Sequence, residues 1–263
     1  MWQRETNRND RAASEAIGFI IVFGIVIGGI GLVTLYGYPM LLQQQSTSNE
    51  QIMEKNMIVL QNDLKSLAYK TVPYSETSLN VGGGALTVYN ISYNTTAQSN
   101  FQVYDTNNII SPAIQFQTGD LRYESINAGT GISLENGAVV KRLLSESGST
   151  MLANPRWYYD AQTNSAVIYL IGFLSSDVIS QSGTGTVRMS LVYNNYSSYT
   201  LPTGDTLKTK YVVNNNANYS AAWGSYFTNS LNLVPTGTVG EYAWPAGITN
   251  VVVYQYEINI ETI

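Results

Sequence analysis

From Ala16 to Asn49 the chain carries no charged residue, and the stretch from Ile17 to Tyr38 within it is almost wholly apolar. A helix needs about 20 such residues to cross the ~30 Å hydrocarbon core of a bilayer. Burying roughly twenty side chains of this kind, at ~1.5–3 kcal/mol for each large one, amounts to tens of kcal/mol. The segment therefore predicts a helix sheltered by lipid or by other helices. Its surroundings differ from those of a secretory signal peptide, in which a shorter apolar core of ~7–15 residues precedes a small-x-small cleavage site. Here the small residues Ala12, Ala13 and Ser14 come first, followed by Glu15, the apolar run, and then Tyr36, Gly37, Tyr38 and Pro39. Cleavage near Ala12 would remove a short charged leader, residues 1–12, and leave the apolar helix at the new N-terminus.

The run Arg-Ala-Ala-Ser-Glu-Ala-Ile-Gly-Phe, Arg11 to Phe19, resembles the class III signal of archaeal type IV pilins and archaellin-like proteins, in particular an uncharacterised branch with a Ser-Glu-x-Ile-Gly-Phe core. The similarity is strongest over about residues 10–90 and combines leader, small-residue junction, acid and helix in one order. The resemblance implies a cut by a prepilin peptidase between Ala12 and Ala13. It also implies storage in the membrane as a single-pass chain with the head outside, and handling by a pilus assembly machinery. Self-association of the apolar helices would then form a filament core, for adhesion or surface attachment. In many bacterial type IV pilins the glutamate is the fifth mature residue, whereas a cut after Ala12 makes Glu15 the third.

Two physical roles remain open for Glu15. Cleavage creates an α-amino group of pKa ~7.7–8.0, mostly protonated near neutrality. Burying one such charge alone costs several kcal/mol, so a neighbour's amine paired with Glu15 would set subunit register. Alternatively, Glu15 only flanks a membrane helix, where an acid suits the positive N-terminal end of the dipole. Gly24 and Gly28 form a GxxxG, joined by Gly18, Gly29 and Gly31. Each costs ~1 kcal/mol of helix propensity, which close backbone packing between helices would offset. The alternative is that these glycines reflect only the general frequency of glycine in membrane helices.

Pro39 is expected to kink the helix. Beyond it Met53, Met57, Leu60, Leu64 and Leu67 recur at steps of four and three, with Glu54, Lys55, Asn62, Asp63 and Lys65 off the stripe. This narrow apolar face predicts an amphipathic extension packed on the protein's own sheet. A helix from Ser14 to Lys70 would span on the order of 85 Å at 1.5 Å per residue, so its outer half projects from a bilayer. Val72-Pro73 ends it, and Gly82-Gly83-Gly84 reads as a turn or bulge.

The remainder, residues 79–263, reads as short strands between turn-rich stretches: Ala85–Ser92, Gln102–Tyr104, Ala113–Gln117, Ile132–Leu134, Ala138–Leu143, Ala166–Leu174, Thr186–Tyr193 and Lys210–Val213. Asn136-Gly137 between two of them is a hairpin signal. The C-terminal run alternates, with Val252, Tyr254, Tyr256, Ile258 and Ile260 on one face, predicting a long strand with one buried face. Tyr219, Ala222, Trp223, Tyr226 and Phe227 fall at helical spacing and predict one core helix. The expected class is α+β: a leader at 1–12, an N-terminal helix at 13–72 and an antiparallel β-sandwich head at 79–263.

Composition narrows the chemistry. Charged residues make up 12% of the 263, about half the ~25% usual in soluble domains. The net charge is -5. The first fifteen residues contribute none of it, since Arg4, Arg8 and Arg11 balance Glu5, Asp10 and Glu15. An acidic body without grouped Lys or Arg argues against a nucleic-acid partner. The chain has no Cys and no His, which removes disulfides, Cys/His zinc sites and His-based triads from its own repertoire. No phosphate loop, dinucleotide fingerprint or EF-hand spacing is present. Asp105, Asp120, Asp160, Asp177 and Asp205 sit singly near turns, where Asp is a turn former. A calcium site assembled from several of them is the minor alternative. No catalytic, cofactor or metal residue is assigned, and a non-enzymatic role is expected. The sequons at Asn90, Asn94, Asn195 and Asn218 are candidate N-glycosylation sites if the head lies outside the cell. The alternative function is a surface protein that never polymerises, or an accessory (minor) pilin acting as a binding module.

Overall fold

The computed structural model describes residues 3–70, 72–91, 99–125, 127–176, 179–213 and 218–263, with side chains from Ser14 onward. Helix α1 (Gln3–Leu32) passes into a π-helical turn (Val33–Gly37) and then α2 (Tyr38–Tyr69). The π turn shifts the hydrogen-bond register, with the Tyr38 N–H donating to the Val33 carbonyl. Helix α2 runs through Pro39, the expected kink position. Because proline lacks an N–H, the carbonyl four residues earlier has no donor from it, and the wide turn lies immediately before that point.

The body comprises β1 (Tyr74–Tyr89), β2 (Asn100–Asp105), β3 (Ile114–Gln117), β4 (Asp120–Ser125), β5 (Thr130–Glu135), β6 (Ala138–Leu143) and β7 (Ser149–Ala153), then β8 (Tyr158–Asp160), β9 (Ser165–Leu174), β10 (Ser180–Thr200) and β11 (Leu207–Val212). It ends with α3 (Ser220–Ser225), a second π turn (Tyr226–Ser230), β12 (Val234–Pro235), β13 (Glu241–Ala243) and β14 (Asn250–Thr262). Nine strands form one sheet in the order β7-β6-β5-β4-β1-β10-β14-β9-β8, and five form a second in the order β12-β13-β11-β2-β3. The pairs are antiparallel except β14 with β9. The fold is α+β, a long N-terminal helix followed by a largely antiparallel β head.

The chain divides into two compact units, 1–48 and 49–263. The division falls inside the helical stretch expected at 13–72, where the amphipathic extension begins. The cause is the apolar stripe: Met53, Met57, Leu60, Leu64 and Leu67 are each at most 1% exposed, so this part of α2 belongs to the core of the body. Gln61 donates to the carbonyls of Gly137 (2.7 Å) and Asn154 (3.0 Å), and Lys141 on β6 pairs with Glu50 (2.5 Å) and Glu54 (2.7 Å). Register places Tyr123, Ile132 and Lys141 on this helix-covered face of the sheet. The opposite face carries Arg122 and Ser133.

The glycine triplet is a bulge in β1, where pairing with β10 slips between Val81 and Leu86. Gly83 has φ +70°, and a Cβ on Gly84 would meet the Glu124 carbonyl at 2.4 Å, so neither site admits a larger residue without a shift. The first strand consequently starts at Tyr74, well before the expected Ala85. The Asn136-Gly137 hairpin forms as expected, with both residues at positive φ (47° and 73°), the geometry of a type I′ turn. The expected core helix forms as α3 with the π turn that follows it, and Tyr219, Ala222, Trp223, Tyr226 and Phe227 are all buried.

The expectation of one buried face on β14 is corrected. Tyr256, Ile258 and Ile260 are buried, but towards its start the buried residues are Val251 and Val253, with Val252 and Tyr254 only half-buried. The neighbour β9 is buried from Ala166 to Phe173 on both faces. The sheet is covered on one side near one end of β14 and on the other side near its opposite end, so the protected face alternates along the strand.

Candidate functional site

Two groups of residues stand out, an unprotected apolar helix and a sealed polar cluster. In the helix, the large hydrophobic side chains from Ile17 to Leu42 are 44% to 72% exposed. It is long and apolar enough to cross a membrane, and is a candidate membrane anchor. A Cβ added at Gly18, Gly24, Gly28, Gly29 or Gly31 would meet nothing within 4 Å. At 100° per residue Gly24, Gly28 and Gly31 fall within about 60° of one another on the helix surface, while Gly18 lies about 120° from Gly24. Gly24, Gly28 and Gly31 therefore share one stripe of the helix surface, and Gly18 lies to one side of it. Phe19 and Phe23 stack at 6.0 Å. Glu15 is exposed. Helix α1 runs without a break through the Ala12–Ala13 junction, whose side chains lie outside the described ones.

The sequons separate by environment. The Asn90 side-chain amide donates to the Ser175 carbonyl. Asn218 accepts from the Ser220 N–H (2.9 Å) and hydroxyl (2.6 Å) at the start of α3. Asn195 is exposed on β10, and Asn94 lies outside the described residues. The attachment atom is the amide nitrogen, which Asn90 spends on the Ser175 carbonyl, whereas Asn195 and Asn218 are both exposed and Asn218 bonds only through its side-chain oxygen.

The polar cluster was not foreseen. Register places Asp120 and Arg122 of β4 beside Ser133 and Glu135 of β5 on one face. Arg122 grips Asp120 with two contacts (2.8 and 3.0 Å), and Ser133 donates to Asp120 (2.6 Å). From the second sheet the Tyr211 hydroxyl reaches Glu135 at 3.3 Å and Ser99 at 3.0 Å, and Trp223 of α3 donates to Glu135 at 2.8 Å. The Arg122 guanidinium also lies 4.2 Å above the Tyr89 ring. Asp120 is thus half of a buried ion pair and not the turn former expected. Asp105, Asp160 and Asp205 do hold turns, each accepting backbone N–H groups, while Asp177 lies outside the described residues. Among the described residues no group of three or more His, Cys, Asp or Glu could hold a metal ion. A signal for the cluster was present in Asp-x-Arg and Ser-x-Glu at alternating strand spacing.

With the carboxylate 2% exposed, the cluster is sealed from solvent and acts as an internal clasp between the two sheets and α3. Burial, followed by the Asp120 charge, pushes the Glu135 carboxyl up to about 7 from 4.5, while Ser99, Trp223 and Arg122 work the other way. A carboxyl whose folded pKa is raised contributes stability that is present below its unfolded pKa and is lost as pH rises through the folded value. The full-length protein in detergent is expected to lose up to about 3 kcal/mol from this group between roughly pH 4.5 and pH 7. Glu135→Gln should flatten that loss and raise the melting temperature at pH 8, as read by thermal melts at pH 5 and pH 8. Equal pH slopes in the two proteins would refute the assignment.

A protein-family model described as "Family of unknown function (DUF7289)" matches residues 11–260. An uncharacterized protein of Archaeoglobus fulgidus is 22% identical over 257 residues, covering 84% of each chain. No solved structure matches.

Proposed function

The chain belongs to the DUF7289 family of unknown function, and from that premise we propose that it is a structural, non-enzymatic subunit of an archaeal type IV pilus-like surface filament. The observation that carries this reading is the contrast along one helical stretch. From Met53 onward its apolar stripe is at most 1% exposed, whereas from Ile17 to Leu42 its large apolar side chains are at least 44% exposed. The first part must be covered by something other than this chain. Lipid would cover it before assembly. Copies of the same helix, packed along the Gly24, Gly28 and Gly31 stripe, would cover it afterwards. The order Ala12, Ala13, Ser14, Glu15 at its threshold and a relative in an archaeon support the same reading. Under it the head lies outside the cell, and adhesion or surface attachment is its task.

Electron microscopy of native material, paired with N-terminal mass analysis, tests the proposal. Filaments built of chains beginning at Ala13 are expected. A monomeric chain in membranes with Met1 intact would overturn it in favour of a single-pass surface protein that binds but does not polymerise.

A further inference from the structure

We propose that two copies of this chain join edge to edge through β10, in an antiparallel pairing centred on Tyr196, to make one sheet continuous across both heads. The argument begins with the stagger of the large sheet. Strand β10 is 21 residues long, longer than either neighbour. Its pairing with β1 ends at Tyr74 opposite Ser190, because Pro73 lacks the N–H that would extend the ladder. From Tyr193 to Thr200 it pairs with β14 on one side, and no described strand pairs with its other side. A hollow lined by Tyr69, Lys70, Pro73, Leu191 and Asn194 opens where β1 stops.

Free edges of this length are normally guarded by charges, proline or brevity, since their unpaired N–H and C=O groups invite another strand. The segment from Tyr193 to Thr200 has no charge and no proline. The two slips in the pairing of β10 with β14, between Arg188 and Met189 and between Leu191 and Tyr193, both lie before it. Six of its eight residues are exposed, Tyr196 to 66%.

The occupant is identified by the segment's own order, Tyr-Asn-Asn-Tyr-Ser-Ser-Tyr from Tyr193 to Tyr199. Laid antiparallel on itself about Tyr196, it sets Tyr196 opposite its counterpart and Tyr193 opposite Tyr199. Asn194 then faces Ser198, and Asn195 faces Ser197. Aromatic meets aromatic and amide meets hydroxyl at every position, the cross-strand pairs that stabilise sheets. No like charges oppose each other. The contact is isologous, the same patch serving both partners. Side chains leave a strand perpendicular to the sheet, so a sugar on Asn195 would stand off one face and leave the edge's backbone groups open.

A two-fold contact closes on itself and cannot propagate a fibre. It would therefore link chains of neighbouring assemblies, or neighbouring anchored chains, and it stands whether or not the N-terminal helices polymerise. Homotypic attachment between surfaces is the role this gives the head.

The chain has no cysteine, so one introduced thiol reports one contact. Directly opposed residues in an antiparallel pair have Cα atoms ~4.5–5.5 Å apart, within the ~4.4–6.8 Å that a disulfide bridges. Full-length Tyr196→Cys, oxidised in native membranes, is expected to convert mostly to a disulfide dimer. Tyr193→Cys alone should form no disulfide dimer, because its two thiols would be about 20 Å apart at ~3.4 Å per residue. Tyr193→Cys mixed with Tyr199→Cys should cross-link again. Tyr196→Lys, placing two ammonium groups face to face, should abolish the disulfide between Tyr193→Cys and Tyr199→Cys chains that also carry it. Absence of the Tyr196→Cys dimer, disulfide formation by Tyr193→Cys alone to the same extent, or an undiminished Tyr193→Cys with Tyr199→Cys disulfide in chains carrying Tyr196→Lys would each overturn the proposal. Filament microscopy on the same samples separates this failure from failure of the pilus reading.

Discussion

Trp223→Ala is expected to remove about 3–5 kcal/mol of stability, the range for deleting a fully buried Trp or Phe side chain. Trp223 is completely buried and sits at the centre of an aromatic group. Its ring lies 4.6 Å from Phe101, 5.7 Å from Tyr211 and Phe227, and 6.2 Å from Trp157. These partners come from β2, β11, the π turn after α3 and the segment before β8, so one side chain ties the second sheet and α3 to the large sheet. The substitution opens a cavity and also removes the indole N–H from Glu135, leaving a buried carboxyl short of a donor. Total stabilities of about 5–15 kcal/mol are usual, so the loss is a large share. Denaturant unfolding of the full-length protein should show a lower midpoint with an unchanged slope. Val239→Ala, at a side chain 90% exposed, should stay within about 0.5 kcal/mol of wild type. A Trp223→Ala cost under about 1 kcal/mol would mean that the two sheets are held together elsewhere.

Glu15→Ala is expected to abolish filaments while leaving the chain in the membrane. In the proposed assembly Glu15 neutralises the α-amino group of a neighbour at the lip of an apolar bundle. Removing one partner of a buried pair costs ~3–5 kcal/mol because the other charge is left unpaired. At 1.4 kcal/mol per tenfold, that raises the subunit concentration needed for assembly by on the order of a hundredfold to more than a thousandfold. The helix itself loses little, since one acid near an N-terminus contributes only ~0.3–1 kcal/mol. The measurement is filament yield by microscopy beside the membrane-bound amount, with N-terminal mass showing that the leader has still been removed. Wild-type filament yield from the processed Glu15→Ala chain would reduce Glu15 to a flanking acid and leave register to the glycines.

The N-terminal helix, the buried stripe from Met53 to Leu67, the Asn136-Gly137 hairpin and the core helix at Tyr219–Phe227 were all legible in the chain's periodicity. Each depends on neighbours a few residues apart, whose spacing states which face is apolar. The glycines of the apolar run and Glu15 stand out in the same way, and angular position on the helix sets Gly24, Gly28 and Gly31 on one stripe with Gly18 to its side. Less visible were the π turn ahead of Pro39, the early start of β1 at Tyr74 and the alternating burial of β14. These depend on what covers a segment, and the covering elements are distant in sequence.

The sequence by itself determined that this protein has an apolar helix too exposed to exist bare in water, joined to an acidic, cysteine-free β head. Hydrophobic transfer and backbone hydrogen bonding are local demands, and a run of side chains states them without reference to the fold. The tertiary structure alone decided that Asp120, Arg122, Ser133 and Glu135 share one buried face with Trp223 and Tyr211, and that no described strand pairs with one side of the second half of β10. Both outcomes follow from strand register. A one-residue slip would send every side chain of a strand to the opposite face, and register is fixed only when strands distant along the chain meet.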